Sequence, residues 1–209
     1  NRYNFQGRNM SIKIKLMGLM LSLLLPSGAV LASSGDFNKG LNALALGDFK
    51  TVLAHWVPLA EQGHVIAQNN LGVMYANGNG VLENDKTAVE WLTLATEQGF
   101  AEAQYELGGM YARGEGVPAN AQTASKLFTL SAEQGFGEAQ TTLGLIYYTG
   151  NGVQADNIRA YMWFNLAAQN GDEIANGLKE NITDEMSMSH INKAQNMSSR
   201  CLESTYTDC

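Results

Sequence analysis

Residues 64–99 read HVIAQNNLGVMYANGNGVLENDKTAVEWLTLATEQG, residues 100–135 read FAEAQYELGGMYARGEGVPANAQTASKLFTLSAEQG, and residues 136–171 read FGEAQTTLGLIYYTGNGVQADNIRAYMWFNLAAQNG. The three lines align without a gap. Their closing glycines, Gly99, Gly135 and Gly171, follow Gly63 at a constant step of 36. Leu71-Gly72, Leu107-Gly108 and Leu143-Gly144 keep that step, and so do Tyr75, Tyr111 and Tyr147. The turns Gly78-Asn79-Gly80-Val81, Gly114-Glu115-Gly116-Val117 and Gly150-Asn151-Gly152-Val153 keep it too. Self-similarity at a fixed period of this length marks a repeat architecture, in which each unit buries its apolar face against its neighbours.

Each line holds two helices. The first is predicted from about His64 to Ala76, because Ala67, Leu71, Met74 and Tyr75 recur at the spacing of one helical face. Gly78 and Gly80 break it, since glycine takes positive φ at no steric cost. The second is predicted from about Asp85 to Gln98, with Ala88, Trp91, Leu92 and Ala95 inward and Gly99 placed for a left-handed cap. Asn120, in the loop before the second helix of the middle line, reads as an inert position. Gly72, Gly108 and Gly144 fall inside helices, where glycine costs about 1 kcal/mol relative to alanine. Three identical placements imply a compensating gain, most simply the close approach of a neighbouring helix. Contact of a ligand with the backbone is the sharper alternative; it ranks lower because all three units share the feature.

Ala-x-x-x-Leu-Gly-x-x-Tyr, then Gly-x-Gly-Val, then Ala-x-x-Trp resembles the Sel1-like repeat, a relative of the tetratricopeptide repeat. The resemblance covers residues 64–171 as three units, with Leu127 standing where the others have Trp91 and Trp163. It implies an all-α solenoid of antiparallel helix pairs whose work is to hold other proteins. Some cysteine-rich relatives have been linked to β-lactam binding or hydrolysis, and those carry cysteine pairs within the repeats. The repeats here have none and the chain has no Ser-x-x-Lys, so that activity is not carried over.

The flanks complete the scheme. Residues 33–63 read as a degenerate first pair, with Leu41, Ala43 and Leu44 in one helix and Phe49, Leu53, Trp56 and Leu59 in the next. Units then occupy 64–99, 100–135 and 136–171. Residues 172–209 read as capping helices and a disulfide tail. One helix is predicted from Asp172 to Glu180. A second is capped by Thr183 and runs to Arg200, with Met186, Ile191 and Met197 apolar and Asp184-Glu185 as favourable first-turn charges. Such an end segment covers the exposed face of the last unit.

Residues 1–32 read as residues upstream of Met10 followed by a secretory signal peptide. Met10 opens a basic region with Lys13 and Lys15, an apolar run spans Leu16 to Val30, and Val30-Leu31-Ala32 offers small residues for cleavage after Ala32. No cysteine follows the run, so a lipid anchor is not expected, and neither is stable membrane insertion once the signal is removed. Removal takes four basic residues and no acid, leaving nine basic against twenty acidic residues and a formal charge of −11. Such a surface repels phosphate backbones and anionic lipid and attracts basic partners, so nucleic acid is not an expected ligand. Cys201 and Cys209 are the only cysteines; in an exported chain the pair reads as a disulfide lying after the last helix.

No catalytic constellation emerges. His55, His64 and His190 are far apart and follow no ligand spacing, and no zinc, thiol-redox, serine-hydrolase or phosphate-loop motif occurs. No catalytic residue, metal or cofactor is expected. The methionines read as gap-filling core. Where the repeats vary, the first helix of each unit presents Asn69, Asn70 and Val73, then Tyr105, Glu106 and Gly109, then Thr141, Thr142, Leu145 and Tyr148. In helix-pair solenoids this helix commonly lines the concave surface, and such side chains suit hydrogen bonding with aromatic contact. The reading is a periplasmic or secreted scaffold, adaptor or regulator that binds a protein there. The alternative is a cell-envelope module that binds peptidoglycan or a wall enzyme; a hydrolase ranks third, with no supporting residues.

Overall fold

In the computed structural model, residues 27–206 and 209 are described, with side chains from residue 35 onward. The basic region and most of the apolar run of the expected leader lie outside them. Ten helices follow in order among the described residues: α1 (Ser27–Ala45), α2 (Phe49–Glu61), α3 (Val65–Asn77), α4 (Asp85–Glu97), α5 (Ala101–Arg113), α6 (Ala121–Ala132), α7 (Gly137–Thr149), α8 (Asn157–Gln169), α9 (Glu173–Thr183) and α10 (Met188–Glu203). Each helix packs on the next from α1 to α9, the arrangement of a solenoid built by stacking neighbours.

The helix starts are set by short polar side chains. Asp48, Asn84, Asn120 and Asp156 stand 36 apart, and each accepts a hydrogen bond from a backbone N–H in the first turn of the helix it precedes. This satisfies donors that have no partner within the helix. Asn120 is therefore not inert: its side chain accepts from Thr123 N at 2.9 Å. His64 caps α3 through Nδ1, which accepts from Ala67 N at 3.2 Å, and its ring stacks on Phe37. The first helices α3, α5 and α7 end on left-handed Gly78, Gly114 and Gly150.

The helical glycines mark where two helices of one pair touch. A Cβ on Gly72 would fall 2.6 Å from Leu92 Cγ, and one on Gly108 would fall 2.9 Å from Phe128 Cε1. On Gly144 it would collide with Phe164. The close-packing reading of these glycines holds. Gly116 serves a different contact: its φ is +68°, and a Cβ there would fall 2.5 Å from Asp85 O, so its turn lies against the preceding unit.

A polar ladder crosses the units. Gln68, Gln104 and Gln140 are buried near the start of each first helix. Gln68 donates to Ala60 O at 2.9 Å and accepts from Gln98 Nε2 at 2.6 Å. Gln104 accepts from Gln134 Nε2 at 2.8 Å. Gln140 donates to Ala132 O at 3.2 Å and accepts from Asn170 Nδ2 at 3.1 Å. Gln68 and Gln140 thereby join the ends of two successive second helices, and a buried amide so paired fixes the stacking of units.

The ends differ from expectation. Ala43, Trp56 and Leu59 are buried in the first pair, whereas Leu41 and Leu44 face outward. Thr183 is the last residue of α9 and does not cap α10; its hydroxyl donates back to Lys179 O at 2.7 Å, and Ile182 continues the buried face. Ser187 caps α10, so Asp184 and Glu185 lie between the helices and are not first-turn charges. Both α9 and α10 pack chiefly on α8. The ring of Tyr206, past the end of α10, reaches Gly135 at the close of the second unit, and Ser198 Oγ donates to Met162 O, so α10 runs back over the third unit. Cys201 sits inside α10, fully buried in the core of that unit, and is bonded to Cys209. The expectation that both cysteines follow the last helix thus fails for Cys201, because the helix runs past Arg200.

Candidate protein-binding groove

The variable first-helix positions divide into two groups. One is drawn into the frame. Asn69 is completely buried, its Nδ2 reaching Asn70 Oδ1 at 3.5 Å, and its own Oδ1 meets no hydrogen-bond donor among the described residues. It does not belong to an open face, contrary to the sequence reading. Thr141 donates to Asp172 Oδ2 at 2.6 Å, at the cap of α9, and that bond holds the Asp172 carboxyl below its usual range. Tyr105 is half-buried, with its ring against Phe128 and Phe136 at centroid distances of 5.6 and 5.3 Å. These three side chains build the frame, and Tyr105 also keeps an open edge.

The second group is accessible. Asn70, Val73, Glu106 and Thr142 are half-buried, and Leu145 and Tyr148 are exposed. Tyr148 donates to Glu185 Oε1 at 3.0 Å, which pushes its hydroxyl pKa up. Two hollows open here. The larger, about 620 Å³, lies among α5, α6 and α7 and is walled by Tyr105, Glu106, Phe128, Thr142 and Ile146. The smaller, about 220 Å³, lies between α3 and α5 and includes Val73, Glu83, Asp85 and Glu115. Glu106 and Arg113 line both.

Electrostatics single out Glu106. Burial pushes its carboxyl up, Glu102 and Glu138 add to the shift, and Arg113 opposes it. It makes no hydrogen bond or ion pair within 4 Å among the described residues. Arg113 instead pairs with Glu115 at 2.7 Å. Its guanidinium lies over Gly109, where a Cβ would fall 2.9 Å from Nη1; the other units carry Val73 and Leu145 at that position. Sequence reasoning places Gly109 on the face but misses Arg113, which stands where Asn77 and Thr149 occur. Its departure from the repeat is the available signal. Among the described residues no group of three or more acids, histidines or cysteines could hold a metal, and no helix is long and apolar enough to cross a membrane.

Stacked helix pairs with a side-chain-lined groove define a helix-pair solenoid. The model of the Sel1 repeat matches residues 65–100, 101–136 and 137–172, and the chain belongs to the Sel1 repeat family. Sel1 repeat proteins are, as a family, protein-interaction scaffolds. A protective antigen present in uropathogenic Escherichia coli strains, displaying an SLR fold, is similar at 29% identity and a TM-score of 0.74, over 85% of this chain and 39% of that one. A Sel1 repeat protein from Oxalobacter formigenes is similar at 32% identity and a TM-score of 0.63, over 67% of this chain and 56% of the other. Cysteine rich protein B of Helicobacter pylori shares the fold at 22% identity and a TM-score of 0.51, over 63% of this chain and 94% of that one. The chain thus spans about two fifths of the first structure's length and just over half of the second's. Among curated proteins none matches the chain.

Proposed function

We propose that the chain is an exported interaction scaffold that holds a partner protein on the face formed by α3, α5 and α7. The observation that carries this reading is the open pair of hollows meeting at Glu106 and Arg113, on the part of each unit that varies while the frame repeats. Asn70, Val73, Tyr105, Glu106, Thr142, Leu145 and Tyr148 form the binding set, and Asn69 and Thr141 support it from within. Export rests on the leader-like residues 1–32, with cleavage after Ala32, and a disulfide suits an oxidising compartment such as the periplasm. The units 64–99, 100–135 and 136–171 then act as one rigid strip between the first pair, 33–63, and the closing segment, 172–209.

The test is a photoreactive residue at Leu145 on this face and, in a second strain, at exposed Leu130 on α6. Crosslinking in cells is expected to join one protein to the Leu145 position and none to Leu130. Equal crosslinking from both, or capture of peptidoglycan alone, contradicts the reading. N-terminal sequencing of the exported form should begin at Ser33; an intact Met10 would contradict cleavage.

A further inference from the structure

We infer that the larger hollow takes the side chain of a lysine or arginine from an extended segment of the partner protein, with Glu106 as its counter-charge. The inference rests on the first-helix face being the binding surface. Four observations lead to it. Glu106 is a half-buried carboxylate with no bonded partner among the described residues, so its charge is poorly compensated in the free protein. The cation that lines the hollow with it, Arg113, is committed to Glu115 and leaves the hollow without a free positive group. The walls around Glu106 include Phe128, Ile146 and Ala124, which suit the aliphatic stem of a long cationic side chain. Tyr105 adds an aromatic ring beside the same space, a surface that attracts cations.

Charge in the adjoining hollow points the same way. Glu83, Asp85, Glu106 and Glu115 face Arg113 alone. The two hollows share α5 as a common wall, so an extended chain can cross from one to the other. In such a chain alternate side chains point to one side at a spacing of about 7 Å. An anionic segment would meet four carboxylates and one cation that is already paired.

Binding of a fluorescein-labelled peptide of about ten glycine, serine and tyrosine residues with arginines at alternate positions tests this, by anisotropy at about 0.15 M salt. Peptides carrying citrulline or glutamate in place of arginine are the comparisons. The arginine peptide should bind, and the citrulline peptide should bind about tenfold more weakly. Glu106→Gln, which preserves shape, should weaken the arginine peptide about tenfold, whereas Glu97→Gln at an exposed position of α4 should change it less than about twofold. Equal losses from the two substitutions, no loss from Glu106→Gln, or no binding of the arginine peptide overturns the inference. Thr142→Trp, which fills the hollow, separates the two levels of the account. If it blocks a citrulline or glutamate peptide that binds as well as the arginine one, the face binds but the cation assignment fails. If it leaves all binding unchanged, the face itself is wrong.

Discussion

In the three matched units a glycine of the first helix faces a large side chain of the second: Gly72 with Leu92, Gly108 with Phe128 and Gly144 with Phe164. The first pair makes the same contact differently. There Gly40 of α1 lies against the ring of Trp56 on α2, and the residue at the 36-step position is Asp36. The turn explains the change. Residues 46–48 join α1 to α2, whereas residues 78–84 join α3 to α4, so the first turn is four residues shorter. The glycine therefore moves four residues along its helix and meets the same place on its partner. Trp56 is on step with Leu92, Phe128 and Phe164, and its indole N–H donates to Phe37 O at 3.2 Å. The fold conserves a place of helix contact, not a residue count, and the family match begins at residue 65, after the irregular pair.

The largest expected effect comes from filling this contact. Gly108→Leu should cost about 3 kcal/mol, the upper range of overpacking, and should lower the urea midpoint of the whole middle region. Gly40→Leu should cost a similar amount but act locally, exposing α1 and α2 to protease while α3–α8 stay protected. A global loss from Gly40→Leu would show that the first pair is not a separable end. Next is the opposite end. Cys201→Ser with Cys209→Ser should lose about 2 kcal/mol in the loop-closure account, seen as faster hydrogen exchange in α10. Because Cys201 is buried in the third unit's core, exchange in α8 should rise with it, while α2–α5 should not change.

A smaller effect is expected at a helix start. Asn120→Ala should cost about 1 kcal/mol through the lost α6 cap, measurable as a drop in Tm. No change would mean that the cap at Thr123 is replaced by water. The smallest effect concerns Glu106. Its carboxyl is raised by burial above the ordinary value near 4.5, so its contribution favours the folded state below that value and is lost as pH rises through the folded one. Glu106→Gln should therefore flatten the decline in stability between about pH 4.5 and neutrality. A steeper decline in the variant would mean that Arg113 outweighs burial.

The repeat, the helix pairs and the glycine contacts were legible because each reappears three times at one step. The buried Gln68, Gln104 and Gln140 were equally periodic but pass for surface residues, since a glutamine's burial depends on partners such as Ala60 in α2 and Asn170 at the end of α8. Gly40 was hidden by the short turn, which shifts it off the step. At the C-terminal end Thr183 followed by two acids has the composition of a helix start, yet Ile182 and the back-bonded hydroxyl keep it in α9. The proposed face was only partly legible. Helical geometry placed Leu145 and Tyr148 outward, but the residue type of Asn69 does not betray its burial, and the bond that ties Thr141 to Asp172 reaches a residue 31 positions on.

A double-mutant cycle on Gly40→Ala and Trp56→Ala tests the shared contact most directly. If the glycine exists to admit the indole, Gly40→Ala should be costly beside Trp56 and nearly free once Trp56→Ala has removed the ring. The coupling energy from urea unfolding of the four proteins should then exceed about 1 kcal/mol. Additive effects, within about 0.5 kcal/mol, would contradict the claim that the first pair is built on the same contact as the three repeats.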